Sequence, residues 1–177
     1  MKRTRILFLF LIISILCFAN NNIKDIQDIT FLVTENLTTN AKKKKSEYIL
    51  RYIKPNFIRK DVLEPELNKG EIYIYDGNKK TVYLPLFEQM TYENLESKER
   101  DILESIDYIL KKRELKQGKV QLNNGVILEL KQIEKISDYF LPKEIVIYDK
   151  DIEVAKLEIK DYKINSNLKK EELLFHD

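Results

Sequence analysis

The sequence predicts an α+β fold, in which an antiparallel sheet with one wet and one dry face is covered by a single amphipathic helix. Three observations predict it. Turn signals at Lys54-Pro55-Asn56 and Asp76-Gly77-Asn78 cut residues 48–89 into the strands of a β-meander, because proline removes a ladder donor and Asp-Gly supplies the positive φ of a tight hairpin. Residues 95–112 carry the one convincing apolar stripe at helical spacing. Beyond them, Ala155, Leu157 and Ile159 alternate with Lys156, Glu158 and Lys160, the pattern of a strand wetted on one side.

In chain order, Met1 to Ala19 has the form of a secretory signal peptide: Lys2, Arg3 and Arg5 precede an apolar run from Ile6 to Leu16, and Ala19 is a small residue suited to cleavage. The run is short for a membrane span, which needs roughly 20 apolar residues. Cys17 follows it, but Leu16 stands where a lipidated cysteine needs a small neighbour, so cleavage after Ala19 is the expectation. Residues 20–177 then form a single domain. Ile23 to Asp28 reads as a helical turn and Thr30 to Leu37 as a strand. Thr38 to Ser46, with Lys42 to Lys45, reads as a solvated loop, although its charge also suits anionic headgroups.

Strands are expected over Tyr48–Ile53, Phe57–Leu63, Glu71–Tyr75 and Thr81–Leu84, rich in Tyr, Ile and Val. The helix 95–112 presents Leu95, Ile102, Leu103, Ile106, Ile109 and Leu110 on one side. After it, Val120 and Leu122 lead through the turn Asn123-Asn124-Gly125 to Val126, Leu128 and Leu130 on one face. Glu144–Tyr148 and Val154–Ile159 flank a last turn at Asp149-Lys150-Asp151. All four glycines and all four prolines fall between apolar runs, so none is expected inside an element.

Composition narrows the function classes. Loss of residues 1–19 removes three positive charges, leaving 28 basic against 29 acidic residues; a nucleic-acid binder needs a concentrated basic face. Cys17 is the only cysteine and His176, next to the end, the only histidine. A Cys-His or Ser-His-Asp nucleophile and a Cys/His zinc site therefore have no material. No glycine-rich phosphate loop occurs. A non-enzymatic protein without metal or cofactor is expected.

One family fits the remaining pattern. Lys54-Pro55-Asn56 after a strand, Asp76-Gly77 at the hairpin, then Tyr83, Pro85, Glu88 and Gln89 resemble the LolA-type outer-membrane lipoprotein carriers of bacteria. So do Leu141-Pro142-Lys143-Glu144-Ile145 through Asn165 and the turn Asp149-Lys150-Asp151. The resemblance implies a strongly curved antiparallel sheet forming an incomplete β-barrel, with an α-helical lid over an apolar hollow. It implies a monomeric periplasmic carrier or chaperone that sequesters the acyl chains of lipoproteins, or other lipid. Such a carrier takes its cargo from an inner-membrane ABC-type releasing complex and delivers it to an outer-membrane acceptor. An arginine precedes the proline of the matching turn in the carriers and latches the lid; Lys54 holds that place here, a point charge without a planar fork of donors. The second reading is an exported sensor or interaction module on the same curved sheet.

If Lys54 points inward, strand alternation sends Tyr52, Leu50 and Tyr48 with it. These three, with Ile72 and Ile74, are the expected cavity-lining residues, and the stripe from Leu95 to Leu110 is the expected lid. Helical periodicity by itself does not separate a lid from a helix that simply packs on a core.

Overall fold

The computed structural model describes residues 22–39, 42–95, 105–106, 108–110, 112, 115–122, 125–149 and 151–175. The expected signal peptide with Cys17, the lid positions Ile102 and Leu103, the turn residues Asn123, Asn124 and Lys150, and His176 lie outside them.

Ten strands make one antiparallel sheet: β1 (Asp28–Thr39), β2 (Lys42–Ile53), β3 (Phe57–Glu64), β4 (Ile72–Asp76), β5 (Lys79–Leu84), β6 (Gln89–Asn94), β7 (Gly118–Gln121), β8 (Val126–Ile136), β9 (Tyr139–Asp149) and β10 (Ile152–Ile164). Their spatial order is β6-β5-β4-β3-β2-β1-β10-β9-β8-β7. Two meanders, β1 to β6 and β7 to β10, are thus joined through the β1–β10 pair, and the sheet stays open between its edges β6 and β7. This is an incomplete barrel. An extra residue in β10, where Asp161 takes φ 54°, shifts the register against β1 between Thr30 and Leu32; such bulges bend and twist a sheet.

Turn chemistry explains the joints. Gly77, at φ 62°, is the first of two residues linking β4 to β5, the position at which a tight hairpin needs positive φ. A 3-10 turn, Ile23–Asp25, precedes β1; the Asn22 side chain accepts from the Lys24 N–H, and Asp25 in turn accepts from the Asn22 N–H. This reciprocal cap satisfies two donors that the turn would otherwise orphan.

Three expectations are corrected. Lys42 to Lys45 are strand, not loop: Thr39 pairs with Lys42 and Asn36 with Lys45, while pairing of β2 with β3 begins only at Glu47 opposite Glu64. This part of β2 therefore has one open edge, where lysines discourage further pairing. Gln89–Asn94 also forms a strand, and the Leu95 N–H continues past it to the carbonyl of Asn78 at 3.3 Å. Leu95 is accordingly not helical; within 95–112 the helical residues described are 105–106 and 108–110.

The third correction concerns Pro142, which lies inside β9, opposite Ile133. Its carbonyl accepts from the Tyr162 hydroxyl of β10 at 2.6 Å, beyond the last β9–β10 pair, Glu144 opposite Glu158. A strand residue directs its nitrogen and carbonyl to the same side. Proline is tolerated here because no ladder bond was available to lose.

Candidate functional site: an apolar hollow under a helical segment

The register decides which side chains meet. On β1 and β2, Ile29, Phe31 and Val33 stand opposite Tyr52, Leu50 and Tyr48. Val33 in turn faces Ile159 across the β1–β10 pair, and Leu157 faces Ile145 across β10–β9. Leu128 and Leu130 of β8 continue the row opposite Ile147 and Ile145. Period-two alternation on five neighbouring strands thus lays one continuous apolar face on the inside of the curve. Leu110 packs into the resulting core, with Ile106, Tyr108 and Ile109 against its margin.

Between that face and the helical segment lies a cavity of about 90 Å³. Phe31, Val33, Tyr48, Leu50, Leu128, Leu141, Ile145, Ile147, Leu157 and Ile159 wall it on the sheet side, and Ile106, Ile109 and Leu110 on the helical side. Among the lining residues the polar side chains are those of Ser105, Tyr48 and Tyr162. Tyr162 satisfies its hydroxyl on Pro142 and packs against Phe31, ring centroids 5.4 Å apart. Burial pushes both phenols well above their ordinary range, so the walls carry no charge near neutral pH. Ligand sites usually measure about 300–1,000 Å³, and this hollow is far smaller.

A cation that is not part of the lining stands beside two of the wall residues. Lys60 on β3 stands opposite Leu50, and its ammonium lies 3.9 Å from the centroid of the Tyr48 ring and 5.8 Å from that of Tyr73. Burial lowers its affinity for a proton, while Glu35 and Glu71 raise it and Lys44 lowers it further. Both carboxylates have partners of their own: Ser46 Oγ donates to Glu35 at 3.1 Å, and the Tyr73 hydroxyl to Glu71 at 2.7 Å.

The expected site residues divide. Tyr48 and Leu50 stand on the cavity wall. Tyr52 belongs to the same core but lies outside the wall; its hydroxyl donates to the Pro55 carbonyl at 2.9 Å. Ile72 and Ile74 face the other side of the sheet, because Lys60 pairs with Tyr73, and Arg59 with Ile74. There Phe57 and Ile74 pack with Leu173, with Ile72, Leu168 and Phe175 around them. The C-terminal segment thus covers the outer face. Lys54 donates from its ammonium to the backbone carbonyl of Lys24, in the N-terminal 3-10 turn. Leu95 is buried outside the core that surrounds the cavity.

Sequence reading missed Lys60 and the wall from β8 to β10. The alternation Leu128-Leu130 and Leu157-Ile159 was visible, but nothing in the chain announces that these strands close onto β1.

No family model and no curated protein matches the sequence. Solved structures do match, across nearly the whole chain. A LolA superfamily protein from Nitrosomonas europaea aligns with a TM-score of 0.63 at 13% identity, covering 92% of this chain and 96% of that one. The fold is that of the LolA superfamily. A DUF1329 family protein from Desulfovibrio piger gives 0.61 at 12% identity, covering 86% and 93%. A domain assigned to outer membrane lipoprotein sorting, from Vibrio parahaemolyticus, gives 0.58 at 9% identity, covering 82% and 88%. At such identities the likeness is one of backbone fold.

Proposed function

We propose that this protein is an exported lipid carrier or chaperone. It takes acyl chains, of lipoproteins or of other lipid, into the hollow between the concave sheet and the helical segment, and gives them up unchanged. The carrying observation is the hollow itself: an apolar enclosure bounded on one side by a continuous sheet and on the other by one short segment. The LolA-like fold, and the lipoprotein-sorting assignment of one structural relative, support the same reading. Inner-membrane donor and outer-membrane acceptor complexes are the partners this reading brings with it, and the periplasm its compartment.

The size of the hollow sets the mechanism. An apolar cavity of about 150 Å³ takes up benzene, so 90 Å³ does not hold a fatty chain. Uptake then requires Ile106, Ile109 and Leu110 to lift away, replacing their contacts with those of the cargo. Each methylene moved out of water contributes about 0.8 kcal/mol; a chain of about sixteen carbons, at roughly 12 kcal/mol, exceeds the roughly 5–9 kcal/mol lost by uncovering three side chains. Protein isolated from its native host, denatured and extracted, should release acylated peptide or lipid detectable by mass spectrometry. An empty extract, repeated after deliberate loading, would contradict the carrier reading.

The small hollow also favours a second reading, an exported sensor or interaction module with a filled interior. Leu86 and Phe87, about 70% exposed on the turn Pro85–Phe87, are apolar groups such a module could offer a partner. Leu50→Phe should abolish carriage and leave rim binding intact.

A further inference from the structure

We propose that Lys60 is an anion subsite at the edge of the hollow, so that the preferred ligand is an acyl chain bearing a carboxylate or phosphate. This rests on the carrier reading above and goes beyond it by naming the headgroup. Three observations carry it. First, Lys60 belongs to the face that forms the hollow: it stands opposite Leu50 in the β2–β3 register, and its ammonium lies 3.9 Å from the ring centroid of Tyr48. Leu50 and Tyr48 are both wall residues, so a chain lying against them places its head near that nitrogen.

Second, among the described residues Lys60 has no carboxylate within 4.0 Å and no hydrogen-bond acceptor; its contacts are the rings of Tyr48 and Tyr73. Lys80 and Lys143, also partly buried on the sheet, are by contrast ion-paired, with Glu93 at 3.0 Å and Glu134 at 3.6 Å. Glu35 and Glu71 act on Lys60 from a distance, each hydrogen-bonded to a neighbour. Third, a cation held on aromatic faces is partly stripped of water, which strengthens an added charge-assisted hydrogen bond. A neutral ester or alcohol offers this ammonium a weaker acceptor.

The test uses the full chain, stripped of bound lipid, and calorimetric titration with matched probes. Palmitate is compared with hexadecanol, and phosphatidylglycerol with diacylglycerol of the same chains. The anionic member of at least one pair should bind about tenfold or more tightly than its neutral twin, the scale of a hydrogen bond to a charged group. A preference in the first pair alone assigns a carboxylate, in the second alone a phosphate; either supports the subsite. Lys60→Met should erase the preference while leaving hexadecanol binding unchanged, and Lys60→Arg should retain it. Should Lys60→Met fail to fold, Lys60→Gln and the wild-type comparison still decide. Equal binding of charged and neutral probes, or a preference that survives Lys60→Met, overturns the subsite and leaves the carrier reading standing. Failure of every probe to bind overturns both.

Discussion

Arg59 donates from Nη1 to the backbone carbonyl of Leu173 at 2.7 Å, fastening the C-terminal segment to the outer face of the sheet. The same guanidinium pairs with Asp61 at 2.8 Å and lies 5.8 Å from the centroid of the Phe175 ring. Asp61 also pairs with Arg51. Arg59→Ala should therefore lower unfolding free energy by about 1–3 kcal/mol, the cost of leaving partly buried polar partners unmet. Urea denaturation measures it, and an unchanged midpoint would show the segment is held by apolar packing alone.

Asp28 does related work on β1, two strands away. Its carboxylate is buried and accepts from the Ser166 N–H at 2.8 Å, the Ser166 hydroxyl at 2.9 Å and the Asn167 N–H at 3.0 Å. Asp28→Ala orphans these donors and should destabilise the fold by about 2 kcal/mol, with amide exchange of Ser166 and Asn167 accelerating most.

The turn of β4 within the sheet shows where sequence reading stops. Alternation correctly gives Tyr48, Leu50 and Tyr52 one face, since they lie on one uninterrupted strand. It gives no phase for Ile72 and Ile74, because residues 65–71 intervene and a shift of one residue exchanges the two faces. Those two isoleucines sit under Leu173 on the outer side. Lys42 to Lys45 look like loop because lysine is depleted in strands, yet the β1 ladder carries them. Pro85 and Pro55 do mark turns; Pro142 does not, because its nitrogen faces a place where no ladder bond forms. Of the stripe expected as a lid, Ile106, Ile109 and Leu110 line the hollow and Leu95 does not; the hollow's size was legible nowhere in the chain.

On the outer face of the sheet, the Tyr148 hydroxyl donates to Glu129 at 2.7 Å. That bond chiefly pulls the Glu129 carboxyl below its usual value and pushes Tyr148 up to about 12. The signs are opposite. Glu129's contribution is full above the ordinary glutamate range and fades as pH falls through its lowered folded value; Tyr148's is full below about pH 10 and fades as pH rises toward about 12. Ultraviolet titration of tyrosinate should find several late-titrating phenols, of which one moves toward about 10 in Glu129→Gln.

Substitutions in the hollow separate uptake from stability. Leu110 is buried in the main core, and Leu110→Ala should cost about 2–5 kcal/mol while enlarging the space and easing entry of a hydrocarbon probe. Leu50→Phe should block entry at modest cost, and Ile72→Ala, on the outer face, should leave entry unchanged. A fluorescent fatty-chain probe reads all three. Equal uptake by Leu50→Phe and wild type would place the binding site elsewhere.

The most direct measurement is an isotope-filtered NMR spectrum of the protein, methyl-labelled at isoleucine, with an unlabelled acyl chain added. The carrier account predicts contacts from the chain to Ile145 and Ile159 on the sheet and to Ile109 on the helical side. It predicts none to Ile72 or Ile74. Contacts confined to surface isoleucines such as Ile152, with Ile145 and Ile159 undisturbed, would contradict it.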